Sequence, residues 1–192
     1  MIVGIVLAAG QATRFGAPKV LERVRGIELV RHVVDRLTAA GIVDVLVMSG
    51  LANDGLHAAL GGSGARVVPV PDAASGLSHS LRAAVDALPE TCTGFVVALG
   101  DQPFIDPAVV RRLQETWETS NAAAVVPVYR DGDRGNPVFF DITMRRHLAA
   151  LSGDRGARDL LRSMGDRVVQ VSIDADAPLD VDLPGDLARL DR

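Results

Sequence analysis

Continuous apolar runs alternate with segments of helical period along almost the whole chain. Ile2 to Ala9 is an unbroken apolar run followed by Gly10, the pattern of a strand buried on both faces. Leu29, Val30, Val33, Val34 and Leu37 then recur at helical spacing, and Gly41 follows as a stop. Ile42 to Met48 and Arg66 to Val70 read as further strands, and Leu81 to Leu88 as a helix. Phe95 to Leu99 is another buried strand that runs into Gly100-Asp101. Asp106-Pro107 predicts a helix start, with Asp as N-cap and Pro in the first turn, leading into Val109, Val110, Leu113 and Trp117. Strands are predicted at Ala123 to Val128, Val138 to Phe140 and Val168 to Ser172. Helices are predicted at Ile142 to Leu151, Arg155 to Met164 and Pro184 to Leu190.

This alternation predicts an α/β fold, a three-layer, doubly wound and mostly parallel sheet with helices on both faces. Ligands of such sheets bind beyond the carboxyl ends of the strands, at the topological switch point. The ends that matter are those after Ala9 and after Leu99. There is no internal repeat, linker or charge block, so residues 1–192 are expected to form a single domain.

Composition narrows the function classes. The net charge of −4 argues against a nucleic-acid binder, whose phosphate contacts want a basic face. No apolar run is long enough to span a bilayer, and the first one has no basic segment ahead of it, so a cytoplasmic protein is expected. A single cysteine, Cys92, permits no internal disulfide and no cysteine-rich metal site. Of the 20 basic residues one, Lys19, is lysine. A lone lysine among arginines either marks a place where a compact ammonium is needed or is an accident of a surface loop.

Its position weighs on that choice. Leu7-Ala8-Ala9-Gly10-Gln11-Ala12-Thr13-Arg14-Phe15-Gly16-Ala17-Pro18-Lys19 leaves the first strand as a loop of small residues carrying two cations. It is neither a dinucleotide fingerprint nor a Walker loop. Small residues after a buried strand still let backbone N–H groups approach a phosphate, to which Arg14 and Lys19 add charge. At the second key strand end, Asp101 in Gly100-Asp101-Gln102-Pro103 stands where a carboxylate beside a triphosphate would ligate magnesium; a plain turn before Pro103 is the alternative. Late in the chain, Asp180 and Asp182 would share a side of an extended segment, though Asp182 could instead cap the helix near Pro184.

Leu-Ala-Ala-Gly-x-x-x-Arg-x-Gly-x-x-Lys at Leu7–Lys19 resembles the signature of the molybdenum-cofactor nucleotidyltransferase family. The resemblance implies a nucleotide-diphospho-sugar transferase-like fold and transfer of a nucleoside monophosphate from a triphosphate to a phosphorylated acceptor, with release of pyrophosphate. It implies nucleotide contacts from Leu7, Ala8, Ala9, Gly10, Arg14 and Lys19, with Arg14 and Lys19 on the triphosphate oxygens. It also implies Mg²⁺ on Asp101 and on a carboxylate from Asp180 or Asp182. Ser75-Gly76-Leu77-Ser78-His79-Ser80-Leu81 is similar to the family's nucleotide-contacting segment and implicates Gly76 and Ser80; a serine N-cap is the structural alternative. Arg134-Gly135-Asn136-Pro137 and Gly153-Asp154-Arg155-Gly156-Ala157-Arg158 resemble segments of the subgroup that makes the cytidine form of the cofactor, pointing to Asn136, Arg155 and Arg158 on the acceptor. Asn136 stands where that subgroup usually has His, and Ala12 where many members have Gly or Ser.

Ala9, where guanylyl-transferring relatives tend to have Gly, tilts the expected substrate to CTP. The expected acceptor is molybdopterin, with a molybdoenzyme as a candidate recipient of the product. Methylerythritol phosphate or a sugar phosphate would be rival acceptors. A nucleotide-binding sensor or cofactor chaperone without catalysis is the rival of another class.

Overall fold

The computed structural model of the chain describes residues 1–10, 18–50, 54–71, 73, 76–151 and 157–191. Arg14, Ala12 and Arg155 therefore lie outside the described residues.

Seven strands form one sheet in the order β5 (Arg66–Pro69), β4 (Val45–Ser49), β1 (Ile2–Leu7), β6 (Gly94–Leu99), β8 (Val138–Asp141), β7 (Ala124–Val128), β9 (Val168–Ser172). All neighbours are parallel except β8, which runs antiparallel to both β6 and β7. The chain first winds outward from β1 through β4 to β5, then returns to place β6 on the other side of β1. The switch point thus lies between β1 and β6, whose last residues, Leu7 and Leu99, are register partners.

Period-two alternation of buried side chains explains why both faces must be covered. Val6, Val47, Val96 and Phe139 point into one apolar layer, with Val30, Val33, Val34 and Leu37 of α1 (Leu29–Ala39), Leu56 of α2 (Asp54–Ala59) and Val110 and Leu113 of α4 (Pro107–Glu118). Ile5, Leu46, Phe95, Val97 and Phe140 point into the other, with Leu81, Ala84 and Val85 of α3 (Leu77–Asp86), Leu148 of α5 (Arg145–Ala149) and Leu161 of α6 (Arg158–Ser163). Asp106 caps α4 as predicted, its side chain accepting from the Ala108 N–H at 2.8 Å with Pro107 at the first turn.

Several elements depart from expectation. Helix α3 begins at Leu77, four residues early, because Ser78 and Ser80 fill its buried face and apolar spacing under-reads it. Its N-cap is Gly76 with φ 109°, a conformation that favours glycine, so no serine caps it. The expected helix from Ile142 divides into a 3₁₀ turn over Ile142–Met144, capped by Asp141, and the short α5. A two-residue hairpin, β2 (Arg23–Val24) and β3 (Ile27–Glu28), turns on Arg25 and Gly26, both at positive φ. It meets the C-terminal α7 (Pro184–Leu190) through a small separate core in which Val24, Leu29 and Val181 are buried and Phe104, Leu187 and Leu190 pack against them. That core anchors the late acidic segment.

Candidate active site

Leu7, Ala8 and Ala9 are buried at the end of β1, where the Ala8 N–H donates to the Met48 carbonyl at 2.9 Å. Gly10 is exposed, with open space around its Cα. The β6 loop is drawn against this end, for the Gly100 N–H donates to the Leu7 carbonyl at 3.0 Å. A methyl group on Gly100 would stand 3.1 Å from that carbonyl oxygen and 3.3 Å from Ala8 Cβ, so the approach depends on glycine.

Lys19 opens a short 3₁₀ turn over Lys19–Leu21 after the phosphate-loop candidate. Its Nζ lies 2.8 Å from Asp101 Oδ2 and 3.0 Å from Asp182 Oδ1. Three distant parts of the chain thus converge on the switch point. Burial by itself would lower the pKa of this ammonium, but the hydrogen bonds and charges of Asp101 and Asp182 outweigh it and hold the group above its ordinary value.

In the late segment Val181 is buried, while Asp180 and Asp182 on either side of it are not. The Val181 N–H donates to the Asp101 carbonyl at 3.0 Å. Asp182 meets Lys19, whereas Asp180 Oδ1 accepts from Gln102 Nε2 at 2.8 Å. Burial raises the Asp180 carboxyl above the usual range; the Gln102 hydrogen bond opposes this, while the charges of Asp101 and Asp182 add to it. Asp182 does not cap α7. Leu183 is the N-cap, and Asp186 reaches back to accept from the N–H groups of Asp182 and Leu183 at 3.1 and 2.9 Å. That double hydrogen bond is the leading reason the Asp186 carboxyl lies below its usual range.

Among the described residues no three acidic, histidine or cysteine side chains close on one point as a metal site. Two carboxylates do close on one cation, Lys19. Asp101 Oδ1 is buried without a hydrogen-bond partner among the described residues. Two hard oxygen donors and an unsatisfied buried carboxylate oxygen suit a Mg²⁺-like ion, which takes one or two carboxylates and completes its shell with phosphate and water.

A cavity of about 970 Å³ opens beside these strand ends, with Leu7 and Leu99 in its wall. Val97, Phe140 and Leu161 make its wall apolar, and Arg134, Asn136, Arg158 and Arg162 bring polar and cationic groups to it. Asn136 and Arg158, singled out from sequence, thus share one cavity; Arg162, one turn after Arg158, was missed there and has no signal beyond its helical spacing. The Asn136–Pro137 peptide is cis, and the Asn136 carbonyl accepts from the Tyr129 hydroxyl at 2.6 Å. Gly76 is half-buried and Ser80 buried within α3; the neighbouring Ser78 hydroxyl is buried without a partner among the described residues.

A mostly parallel seven-stranded sheet with helices around it is the architecture of nucleotidyltransferases of the nucleotide-diphospho-sugar transferase fold. The pattern of one such family, described as the MobA-like NTP transferase domain, matches residues 4–168. The chain belongs to that family. The crystal structure of Rv0371c from Mycobacterium tuberculosis H37Rv superposes with a TM-score of 0.88 at 36% identity, covering 98% of this chain and 96% of that one. The same protein in complex with manganese superposes with a TM-score of 0.84 at 35% identity, covering 98% and 97%. A probable molybdenum cofactor guanylyltransferase of Thermococcus sibiricus is 29% identical over 68% of this chain and 64% of its own. The bifunctional protein GlmU of Sorangium cellulosum is 31% identical over 65% of this chain, a match spanning 28% of the GlmU length. No helix among the described residues is long and apolar enough to cross a membrane.

Proposed function

We propose that residues 1–192 act as one nucleotidyltransferase domain that transfers CMP from CTP to the terminal phosphate of molybdopterin. The observation that carries this reading is the meeting of Lys19, Asp101 and Asp182 at the switch point. In the transfer an acceptor phosphate oxygen forms a bond to the α-phosphorus of CTP as the bond to the β-phosphate oxygen breaks. The electron pair leaves with pyrophosphate. The nucleophile is already an anion at neutral pH, so the chain needs no general base, and positioning and charge stabilisation supply the rate.

The residues have separable tasks. The β1 loop, from Leu7 through Gly10 to Arg14 and Lys19, wraps the triphosphate, with Gly76 and Ser80 toward the nucleoside. Lys19 and Arg14 balance the charge that builds on the leaving pyrophosphate. Asp101 and Asp182 would hold Mg²⁺, with Asp180 beside them; when bound, the ion neutralises charge on the triphosphate oxygens. The acceptor lies in the cavity beside Asn136 and Arg158; Arg155, outside the described residues, is assigned to it from the sequence resemblance alone. An apolar wall with guanidinium groups suits a flat heterocycle that carries a phosphate. Ala9 supports the cytidine reading of the base. A molybdoenzyme would receive the product, and a cytoplasmic setting fits these substrates.

Thermal unfolding with Mg²⁺ and each of CTP, GTP, ATP and UTP tests the reading. Ligand at 100 times its Kd adds about 2.7 kcal/mol, which for a chain of this size raises the midpoint by roughly 5–10 °C. A rise specific to CTP, lost in Asp101→Asn together with orders of magnitude in turnover, is the expected result. A response specific to GTP would keep the mechanism and change the base. Near-normal turnover of Asp101→Asn with molybdopterin and CTP would overturn the site assignment, and tight nucleotide binding without pyrophosphate release would favour a sensor.

A further inference from the structure

Gln102 follows Asp101 in the loop after β6 and is 5% exposed. Its Nε2 donates to Asp180 Oδ1 at 2.8 Å, and its Oε1 is buried with no hydrogen-bond partner among the described residues. The carboxylate dictates this orientation, since the reversed amide would set oxygen against oxygen. A buried amide oxygen without a partner costs stability, whereas an unbranched apolar side chain would fill the same space without that cost. Packing therefore does not account for an amide at this position.

The hydrogen bond acts together with its neighbours. Asp101 binds the late segment through its carbonyl, which accepts from the Val181 N–H at 3.0 Å. Gln102 adds a second tie one residue further on each side, at Asp180. Beside these two ties, the side chains of Asp101 and Asp182 come together on Lys19. The main-chain tie fixes the separation of the two segments, and the side-chain tie fixes their rotation about it. Without the second, Asp180 and Asp182 can rotate about Val181, which the small core holds in place between them.

We propose that Gln102 is a positioning residue for nucleotidyl transfer, whose amide holds the Asp180–Asp182 segment at the separation from Asp101 that a metal–triphosphate complex requires. It rests on the reading of the site given above and adds to it a residue that touches neither nucleotide nor metal. Groups that orient metal ligands typically contribute 10- to 100-fold to metal affinity or activity.

The test is Mn²⁺ binding in the presence of CTP, followed by electron paramagnetic resonance, alongside thermal unfolding. Gln102→Met is expected to weaken Mn²⁺ binding about tenfold, with an unfolding midpoint equal to or above that of the wild type. High Mn²⁺ or Mg²⁺ should restore part of its turnover. A double-mutant cycle with Asp180→Ala checks the link: the double variant should lose no more affinity than Asp180→Ala alone. A lowered midpoint with unchanged Mn²⁺ affinity, or additive losses in the cycle, would overturn the proposal. If Asp101→Asn loses Mn²⁺ and Gln102→Met keeps it, this proposal alone fails; if Asp101→Asn binds Mn²⁺ like the wild type, the site reading fails with it.

Discussion

Replacing Lys19 by Met removes the cation on which two carboxylates close, and the structure sets the size of the consequence. The side chains of Lys19 and Asp101 are 19% and 24% exposed, so their 2.8 Å pair is partly shielded from water, while Asp182 at 62% is largely screened. Breaking an exposed pair costs up to about 1 kcal/mol and breaking a buried one roughly 3–5 kcal/mol. The Asp101 pair falls between these, and the Asp182 pair adds little, for a total of about 2 kcal/mol. In a chain of this length that is a fall of roughly 4–8 °C in unfolding midpoint.

The loss should be reversible in a specific way. With Lys19 gone, Asp101 and Asp182 face each other unneutralised, and a divalent cation can take the place of the ammonium. Millimolar Mg²⁺ without nucleotide should therefore raise the midpoint of Lys19→Met by more than it raises that of the wild type. Turnover should remain lost, because the triphosphate no longer meets its point charge. Lys19→Arg should keep more of the stability than of the activity, since a planar fork does not sit between two carboxylates as an ammonium does. A Lys19→Met protein with an unchanged midpoint and no differential response to Mg²⁺ would refute the electrostatic reading of the cluster.

Two further outcomes follow from the surroundings of the site. Tyr129 is the chain's one tyrosine, and burial, with a smaller contribution from the Asp106 charge, pushes its hydroxyl up to about 12. Its contribution to stability is thus complete below the unfolded value near 10 and is lost as pH rises from there toward 12, about 3 kcal/mol in all. An ultraviolet tyrosinate titration of the folded protein with a midpoint near 10 would contradict this. Gly100→Ala should cost about 1–3 kcal/mol by forcing the β6 loop off the Leu7 carbonyl. Its turnover should fall further than its stability because Asp101 moves with the loop, and wild-type kinetics and midpoint together would refute the close-approach argument.

What was legible in the sequence follows from where the physics is local. A strand buried on both faces has to be an apolar run, and β1, β6 and β7 begin or end within a residue or two of where their runs do. A capped helix announces itself in two residues, as Asp106-Pro107 does. The hairpin of β2 and β3 left only an Arg-Gly pair as a sign, and α2, six residues with a glycine among them, left no apolar period to read. Helix α3 was shortened because serines occupy its buried face.

The site divides along the same line. The ends of β1 and β6 could be named because the switch point is a property of strand order, and strand order follows from the alternation of elements. Which late carboxylate meets Asp101 is a property of side chains 78 and 163 residues apart in sequence, where no period reaches. Asp180 and Asp182 both flank the buried Val181, and the sequence treats them alike. What separates them is the partner across the gap, Gln102 for one and Lys19 for the other. The family pattern does not decide it either, for its match ends at residue 168, ahead of both. The lone lysine faces two carboxylates from different segments at once, as a group with tetrahedral donors can. Its meaning depended on a carboxylate 163 positions away and emerges only once the small core of Val24, Leu29 and Val181 has brought the end of the chain back to its beginning.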